Sequence, residues 1–242
     1  MTFSKKNLIL LTLVLMMNPS CFAANESATA DAGLDISADS ATTDLKSAGR
    51  FEGNVALKHL GVTISGDLAE VQSASETQPQ FFIITGTPAT FEQKLESTEM
   101  SANAGQLVYS PSEGRLELQE NVSVSQSNPN NHFDISAETL NILFQDGKPE
   151  QLDARGHPVV FNHQMSEHNI LIKAEKIIWQ AESQIAILQQ ATVFDKETSF
   201  SADEIKYNTA TGEISAKGKG DKRPSYRYTP EQDKDGGKDN DA

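Results

Sequence analysis

A four-residue pattern recurs along this 242-residue chain and constrains its fold more than any other feature. Each copy has a bulky apolar residue, a polar residue, then Ala or Gly, then an acid or its amide. Repeats a few tens of residues apart are typical of stacked architectures, in which one unit cannot bury its apolar face alone. The six copies are 28 to 37 residues apart, and they begin at Ile36, Ile64, Met100, Ile135, Ile172 and Phe200.

The residues around each anchor alternate between apolar and polar types, as in the run 140–144. A period of two predicts strands with one apolar face. Turn-forming segments such as 111–114 and 208–212 separate successive runs at hairpin spacing. The sequence therefore predicts an all-β fold of stacked antiparallel repeats.

A second element opens the repeats, and it occurs in two forms. One is centred on valine, as in 53–57 and 120–124, and the other contains Gly-x-Pro-x-x-Phe, as in 86–91 and 156–161. The two proline copies are 70 residues apart, which suggests that the repeat alternates between the forms. Because proline has no N–H to donate, these prolines should mark positions where strands begin or bend.

The two ends of the chain are predicted to lie outside the β domain. Two lysines precede the apolar run 8–17, and Cys21-Phe22-Ala23 resembles a cleavage site, so residues 1–23 are interpreted as a secretory signal peptide. The alternative is that Cys21 is the acylated cysteine of a lipoprotein. Residues 24–34 and 229–242 are polar and predicted to be flexible, which leaves 35–228 as the β domain.

The net charge argues against two classes of partner. Without the signal peptide the chain has 18 basic and 34 acidic side chains, a net charge of −16. Such a surface would repel nucleic acid and anionic membranes.

The sequence indicates no catalytic or cofactor site. It has no nucleophile-elbow motif, no phosphate-binding glycine loop and no cysteine cluster. The spacing of His163 and His168 matches neither zinc-protease motif. We therefore expect them to lie in a solvated loop and not in a metal site. The acids at the fourth anchor position could bind cations, but the alternation predicts that they face outward and discourage aggregation; they are Asp39, Asp67, Glu138, Glu175 and Asp203.

Each anchor also puts a small residue two positions after the bulky one, so that both face the same side. Two interpretations remain open for the resulting lane of small residues. In one interpretation it lets a facing strand approach closely; in the other it lines a lengthwise apolar cleft suited to an acyl chain.

The order of the first motifs resembles the LptA/OstA-like family of lipopolysaccharide-transport proteins. The resemblance is carried by Ile36-Ser37-Ala38-Asp39, 51–55, 64–67 and 86–91, with weaker similarity to Tyr207. It implies an open β-jellyroll that carries lipopolysaccharide by its lipid A chains across the periplasm. The chain has more repeats than is typical, and the units after Gly156 have no clear counterpart.

The resemblance also implies a site and partners. The lining of an apolar groove would be Ile36, Val55, Leu57, Ile64, Phe91, Met100 and Ile135, to which the repeat adds Ile172. Partners would be LptC-like inner-membrane and LptD-like outer-membrane proteins, with possible head-to-tail homo-oligomers. Edge strands bind by strand addition, and the residues predicted there are Ile36, Ser37, Ile205, Lys206, Tyr207 and Ile214.

Three alternatives to a lipopolysaccharide carrier remain at this point. The chain could be an LptC-like or LptD-like member of the family, or an envelope scaffold whose β interior is filled by side chains. An enzyme acting on polysaccharide would need paired carboxylates that converge in a cleft, and sequence alone does not show convergence. An open groove rather than a filled interior would favour the carrier.

Overall fold

A computed structural model describes residues 33–44, 48–73, 80–165, 169–218 and 223–230. They form fourteen β-strands and one short 3-10 turn, Pro111–Glu113. The strands are β1 Leu34–Ser37, β2 Ser40–Asp44, β3 Ala48–His59, β4 Val62–Ser73, β5 Gln80–Leu95, β6 Thr98–Ser110, β7 Arg115–Ser127, β8 Asn131–Gln145, β9 Lys148–Met165, β10 Asn169–Gln180, β11 Ile185–Asp195, β12 Thr198–Asn208, β13 Ile214–Lys217 and β14 Ser225–Tyr228.

All fourteen strands belong to one antiparallel sheet in which β3 to β12 pair in chain order. β1 and β2 both pair with β3, and β13 and β14 both pair with β12, so each end of the sheet carries two short strands. The predicted all-β fold of stacked antiparallel repeats is confirmed.

Most long strands are interrupted near their middle, where the pairing register shifts, as between Glu52 and Val55. The interruptions align across the sheet and divide it into two leaves. The anchor leaf, named for the repeat anchors that it contains, comprises residues 34–37, 55–59, 62–66, 89–95, 98–103, 122–127, 131–136, 159–164, 169–174, 191–195, 198–202 and 225–228. The return leaf comprises 40–44, 48–52, 68–73, 80–85, 106–110, 115–119, 139–143, 151–155, 176–180, 185–189, 204–208 and 214–217.

The odd-numbered strands cross the bend in two alternating ways. β3 and β7 use left-handed residues, with φ of 76° and 47° at Gly53 and Asn54 and similar values at Glu120 and Asn121. β5 and β9 instead contain Pro88 and Pro158, each after a cis peptide bond. The alternation suggested by the two sequence forms is therefore confirmed. These segments lie inside continuous strands, however, so they mark bends and do not begin strands.

The two leaves face one another with a regular stagger. His59 of β3 contacts Tyr109 of β6, and Phe91 of β5 contacts Phe144 of β8. His163 of β9 likewise contacts Tyr207 of β12. Each contact joins an anchor-leaf strand to the return-leaf strand three positions later, and the apolar core lies between them.

Most of the lane of small residues lies at the bend, where the leaves converge, but Ala102 lies two residues before the bend and pairs with Phe91 and Val124. A Cβ added at Gly66 would lie 2.6 Å from Ile84 Cγ2 and 2.7 Å from the carbonyl oxygen of Thr85. Ala102 and Ala174, at the same anchor position, are buried. This geometry supports the interpretation in which small residues permit close approach of the backbone.

Several sequence predictions lie outside the described residues. They are the signal peptide at 1–23, almost all of the flexible segment at 24–34, and most of the tail at 229–242. Within the described ranges, no helix is long and apolar enough to cross a membrane.

Candidate functional site

All eight residues predicted to line a groove lie on the inner face of the anchor leaf. Six of them belong to one row of directly paired residues that crosses the leaf from edge to edge. Val55 and Met100 precede two row members by two positions on the same face, and Ile36 begins the row at its edge. The row is Ile36, Leu57, Ile64, Phe91, Ala102, Val124, Ile135, Phe161, Ile172, Val193, Phe200 and Tyr226.

The interior is packed over most of its length. Seven of the eight predicted lining residues are between 0% and 4% exposed, and only Ile36, at the edge, is half-buried. The return leaf contributes the facing surface, which the site prediction did not include. Its central row is Phe51, Ala69, Ile84, Leu107, Leu118, Leu140, Ala154, Ile177, Leu188, Ile205 and Ala216. The alternation of the return strands was the signal for these residues.

One cavity of about 290 Å³ opens between the leaves. Its anchor-leaf wall includes Phe133, Ile135 and Phe161, and its return-leaf wall includes Ile177 and Ala186. These apolar side chains form the floor. Ile135 is therefore the only predicted groove residue that contacts this space.

The rim of the cavity is polar, and none of the described residues that line the cavity has a carboxylate, lysine or arginine side chain. Trp179, the only tryptophan of the chain, donates its indole N–H to Thr209 Oγ1 across 3.2 Å. The other rim side chains come from turns and strand ends, and they are Gln126, Asn128, Asn131 and Gln184. An apolar floor below an uncharged polar rim suits an amphipathic ligand whose apolar part enters first.

His163 links the two leaves beside this cavity. Its Nδ1 lies 2.7 Å from the Tyr207 hydroxyl, and both side chains are buried. Burial lowers the pKa of His163, so the ring is neutral at neutral pH. Burial, with a smaller contribution from Asp195, raises the pKa of Tyr207 to about 12.

The expectation that His163 lies in a solvated loop is wrong. β9 continues to Met165, and the ring stacks on Phe161 with centroids 5.8 Å apart. The polar neighbours Asn162 and Gln164 suggested a loop, but alternation points them away from the interior. His168 lies outside the described residues.

A matching pair occurs six strands earlier, beside a second cavity of about 350 Å³ that Gln93 and Phe144 also line. His59 Nδ1 lies 2.8 Å from the Tyr109 hydroxyl. Burial raises the pKa of Tyr109. Nearby, Gln93 Nε2 donates to the carbonyl oxygen of Gly147 across 2.8 Å and joins the leaves at their rim.

The acids at the fourth anchor position face outward, as predicted. Asp39, Asp67, Glu138 and Glu175 are exposed, and Asp203 is half-buried. Among the residues that the structure describes, no group of three or more His, Cys, Asp or Glu side chains could hold a metal ion.

The predicted edge residues lie in different places. Ile36 and Ser37 are on β1, and Ile214 is on β13, all at edges of the sheet. Ile205, Lys206 and Tyr207 are one strand further in, because β13 pairs with them. The assignment of these three residues to an edge is therefore wrong, and the Tyr207 side chain is buried.

Comparison with known proteins resolves the family. A family model described as "LptA/(LptD N-terminal domain) LPS transport protein" matches residues 35–134 and, again, residues 131–213. The two matches together span well over half of the chain. The chain belongs to this family of lipopolysaccharide-transport proteins. The second match includes the units after Gly156, which had no counterpart at the sequence level.

The two matches to the LptA/LptD N-terminal domain meet at the turn between β7 and β8, on the rim of the cavity.

Among solved structures, LptH from Pseudomonas aeruginosa is similar, at 19% identity and a TM-score of 0.43. LptH is the LptA homologous periplasmic component of that organism's lipopolysaccharide transport device. That match covers 51% of this chain and 82% of LptH. No curated protein matches the chain.

Proposed function

We propose that this family member is a periplasmic lipopolysaccharide carrier that holds lipid A acyl chains between its two leaves. The cavity beside Trp179 carries the proposal, because its floor is apolar and its rim is polar and uncharged. The family supports lipopolysaccharide as the cargo. The outward face of the sheet presents acids at the anchors, which disfavours an anionic headgroup there.

The size of the cavity suits a carrier that must also release its cargo. Its volume is at the lower limit of ordinary ligand sites, which span roughly 300–1,000 Å³. Each buried methylene contributes about 0.8 kcal/mol, so complete burial of several chains would make release very slow. We expect the cavity to hold part of one acyl chain, and the two leaves to move apart to admit the others. Such a complex is weaker, so the lipopolysaccharide can be transferred to the next protein.

In this proposal the protein bridges LptC-like inner-membrane and LptD-like outer-membrane partners. Within the described residues, the sheet ends in edge strands on both sides, and such edges accept further strands. Acyl chains would then pass from one interior to the next along aligned leaves.

The single tryptophan gives a direct test. Adding lipopolysaccharide should change the fluorescence of Trp179, and Ala186→Phe should abolish most of that change, because the new ring fills the cavity. Gln189→Phe is the matched control, since residue 189 lies on the same strand and faces outward. Circular dichroism checks that both variants fold.

A filled-interior scaffold is the competing interpretation, favoured by the close packing elsewhere in the core. No fluorescence change with lipopolysaccharide, or equal changes in the parent and a folded Ala186→Phe variant, would exclude the cavity as the lipid site and leave the scaffold.

A further inference from the structure

The second cavity, of about 350 Å³, lies at the rim of the leaves, on the side away from the bend, and we call it the rim cavity. It shares no lining residue with the cavity beside Trp179, which we call the lipid cavity. The two are therefore separate spaces. The lining of the rim cavity comes from strand ends and turns, and it comprises His59, Leu60, Val62, Gln93, Tyr109, 111–114 and 144–147.

The turn 60–61 places an apolar side chain at this cavity in an unfavourable backbone conformation. Leu60 and Gly61 have φ of 44° and 79°, as in a type I′ turn, which favours Asn, Asp or Gly at its first position. Asp146 and Gly147, with φ of 51° and 73°, follow that preference. Leu60 is 54% exposed, so burial compensates little for the cost of a bulky residue there. Such an outlier points to a function, and an exposed apolar side chain beside a cavity offers a contact surface to a ligand.

Gln93 contributes a buried polar group to the same cavity. The residue is 5% exposed, and its Nε2 donates to the carbonyl oxygen of Gly147 across 2.8 Å. Its Oε1 is buried without a hydrogen-bond partner among the residues that the structure describes. An unpaired buried acceptor is unfavourable. A hydroxyl or amine group of a ligand in the rim cavity would supply the missing donor.

The mouth of the rim cavity adds two carboxylates. Glu113 is already bonded to Arg115 across 2.8 Å, so Asp146, which is exposed, is the freer of the two to meet a ligand. Carboxylates favour hydroxyl and ammonium groups and repel phosphate. Opposite these acceptors, Leu60 and Phe144 provide apolar surface. A sugar ring has the matching combination, an apolar C–H face and donors around its edge.

We propose that the rim cavity binds an amine-bearing sugar. The C–H face of the ring lies on Leu60 and Phe144, one hydroxyl donates to Gln93 Oε1, and the ammonium group lies beside Asp146. A volume of about 350 Å³ accommodates one such ring. The saccharide part of lipopolysaccharide is one source, and this source rests on the proposed function. A free amino sugar has the same chemistry and is the other source.

Binding of free sugars tests the site without any lipid, and saturation-transfer NMR detects such weak complexes. Glucosamine should bind, and glucose, which lacks the ammonium group, should bind about two- to five-fold more weakly. Glucosamine 6-phosphate should also bind more weakly than glucosamine, because the carboxylates repel its phosphate. Equal binding of all three sugars, or a preference for the phosphate, would overturn the proposal.

Leu60→Asn separates a binding role from a structural one. Because Asn suits a type I′ turn, the variant should be at least as stable as the parent in urea, yet bind glucosamine about five-fold more weakly. A less stable variant with unchanged binding would show that Leu60 serves the fold and is no ligand contact.

Two further variants test the polar contacts. Gln93→Met removes the unpaired acceptor and should weaken the binding of glucosamine and glucose alike. Asp146→Asn keeps a residue that the turn favours, and it should weaken glucosamine but not glucose. Glu138→Gln is the control, since Glu138 is an exposed acid on the outward face, remote from the rim cavity.

The outcomes separate this site from the proposed cargo. Glucosamine binding that Gln93→Met and Leu60→Asn weaken and Glu138→Gln retains supports the site, even if lipopolysaccharide never alters Trp179 fluorescence. No binding by the parent, or equal binding by the parent and every variant, overturns the site and leaves the lipid test unaffected. Lipopolysaccharide added to the glucosamine complex identifies the source. Displacement of glucosamine supports the saccharide part of the cargo, whereas its retention overturns that source in favour of a free amino sugar.

Discussion

Two stretches of the interior have similar architecture and different contents. Where β5 faces β8, Phe91 meets Phe144 with ring centroids 6.0 Å apart, and Gln93 bonds to Gly147 at the rim. Where β8 faces β11, Phe133 and Ile135 share a cavity with Ala186. The stagger of the leaves is the same in both. The first stretch also borders a cavity, of about 350 Å³, but that cavity is lined by the turns 111–114 and 145–147, whereas the cavity of the second stretch reaches the inner faces of both leaves. The difference shows that the size of the opposing side chains decides how far an opening reaches between the leaves.

The largest expected effect compares an aromatic ring in each stretch. Phe91→Ala removes a fully buried ring and should lower the free energy of unfolding by about 3–5 kcal/mol. Phe133→Ala should cost clearly less, because Phe133 is half-buried and already borders a cavity. Urea denaturation of both variants checks this. Equal losses would mean that the two stretches are packed alike.

A smaller effect is expected at the bend, which both stretches share. Gly66→Ala forces its new methyl group against Ile84 and the backbone of Thr85, and overpacking of this kind should cost about 1–3 kcal/mol. Asp67→Ala is the neighbouring control, with an exposed side chain. If thermal unfolding gave the two variants the same stability, the close approach of the leaves at this point would be wrong.

Acid should destabilise the open stretch through His163. Its pKa is lowered in the folded protein, whereas an unfolded histidine titrates near pH ~6.5. The unfolded state therefore binds more protons as the pH falls through that range, and the free energy of unfolding decreases. Urea denaturation between pH 7.5 and 5 should show a shallower decrease for His163→Gln than for the parent. An unchanged slope would contradict the buried, neutral ring.

The smallest effect is expected at Gln93, on the rim where β5 faces β8. Its Nε2 makes one hydrogen bond, but its buried Oε1 has no hydrogen-bond partner among the residues that the structure describes. Gln93→Met removes the bond and the unpaired oxygen together, so the change in unfolding free energy should stay within about 1 kcal/mol. A loss well above that value in chemical denaturation would show that the link to Gly147 closes this part of the interior.

Much of the architecture was readable from local pattern. Alternation predicted the strands, the spaced anchors predicted the stack, and the two forms of the second element predicted an alternating repeat in which Pro88 and Pro158 begin or bend strands. Each of these features depends on a few neighbouring residues whose backbone preferences or facing direction are set by chain geometry alone. Seven of the eight groove residues came instead from the family resemblance, and the repeat added Ile172.

What the sequence by itself determined was therefore the all-β repeat, the inward face and the outward acids. Only the tertiary structure decided that most of that face is packed, that His163 is buried against Tyr207, and that the interior opens beside Ala186. These features depend on which residues of the return leaf lie opposite the anchor leaf. The partners are separated by three strands along the sheet, so no local pattern records the contact, and the size of the opposing side chain settles whether space remains.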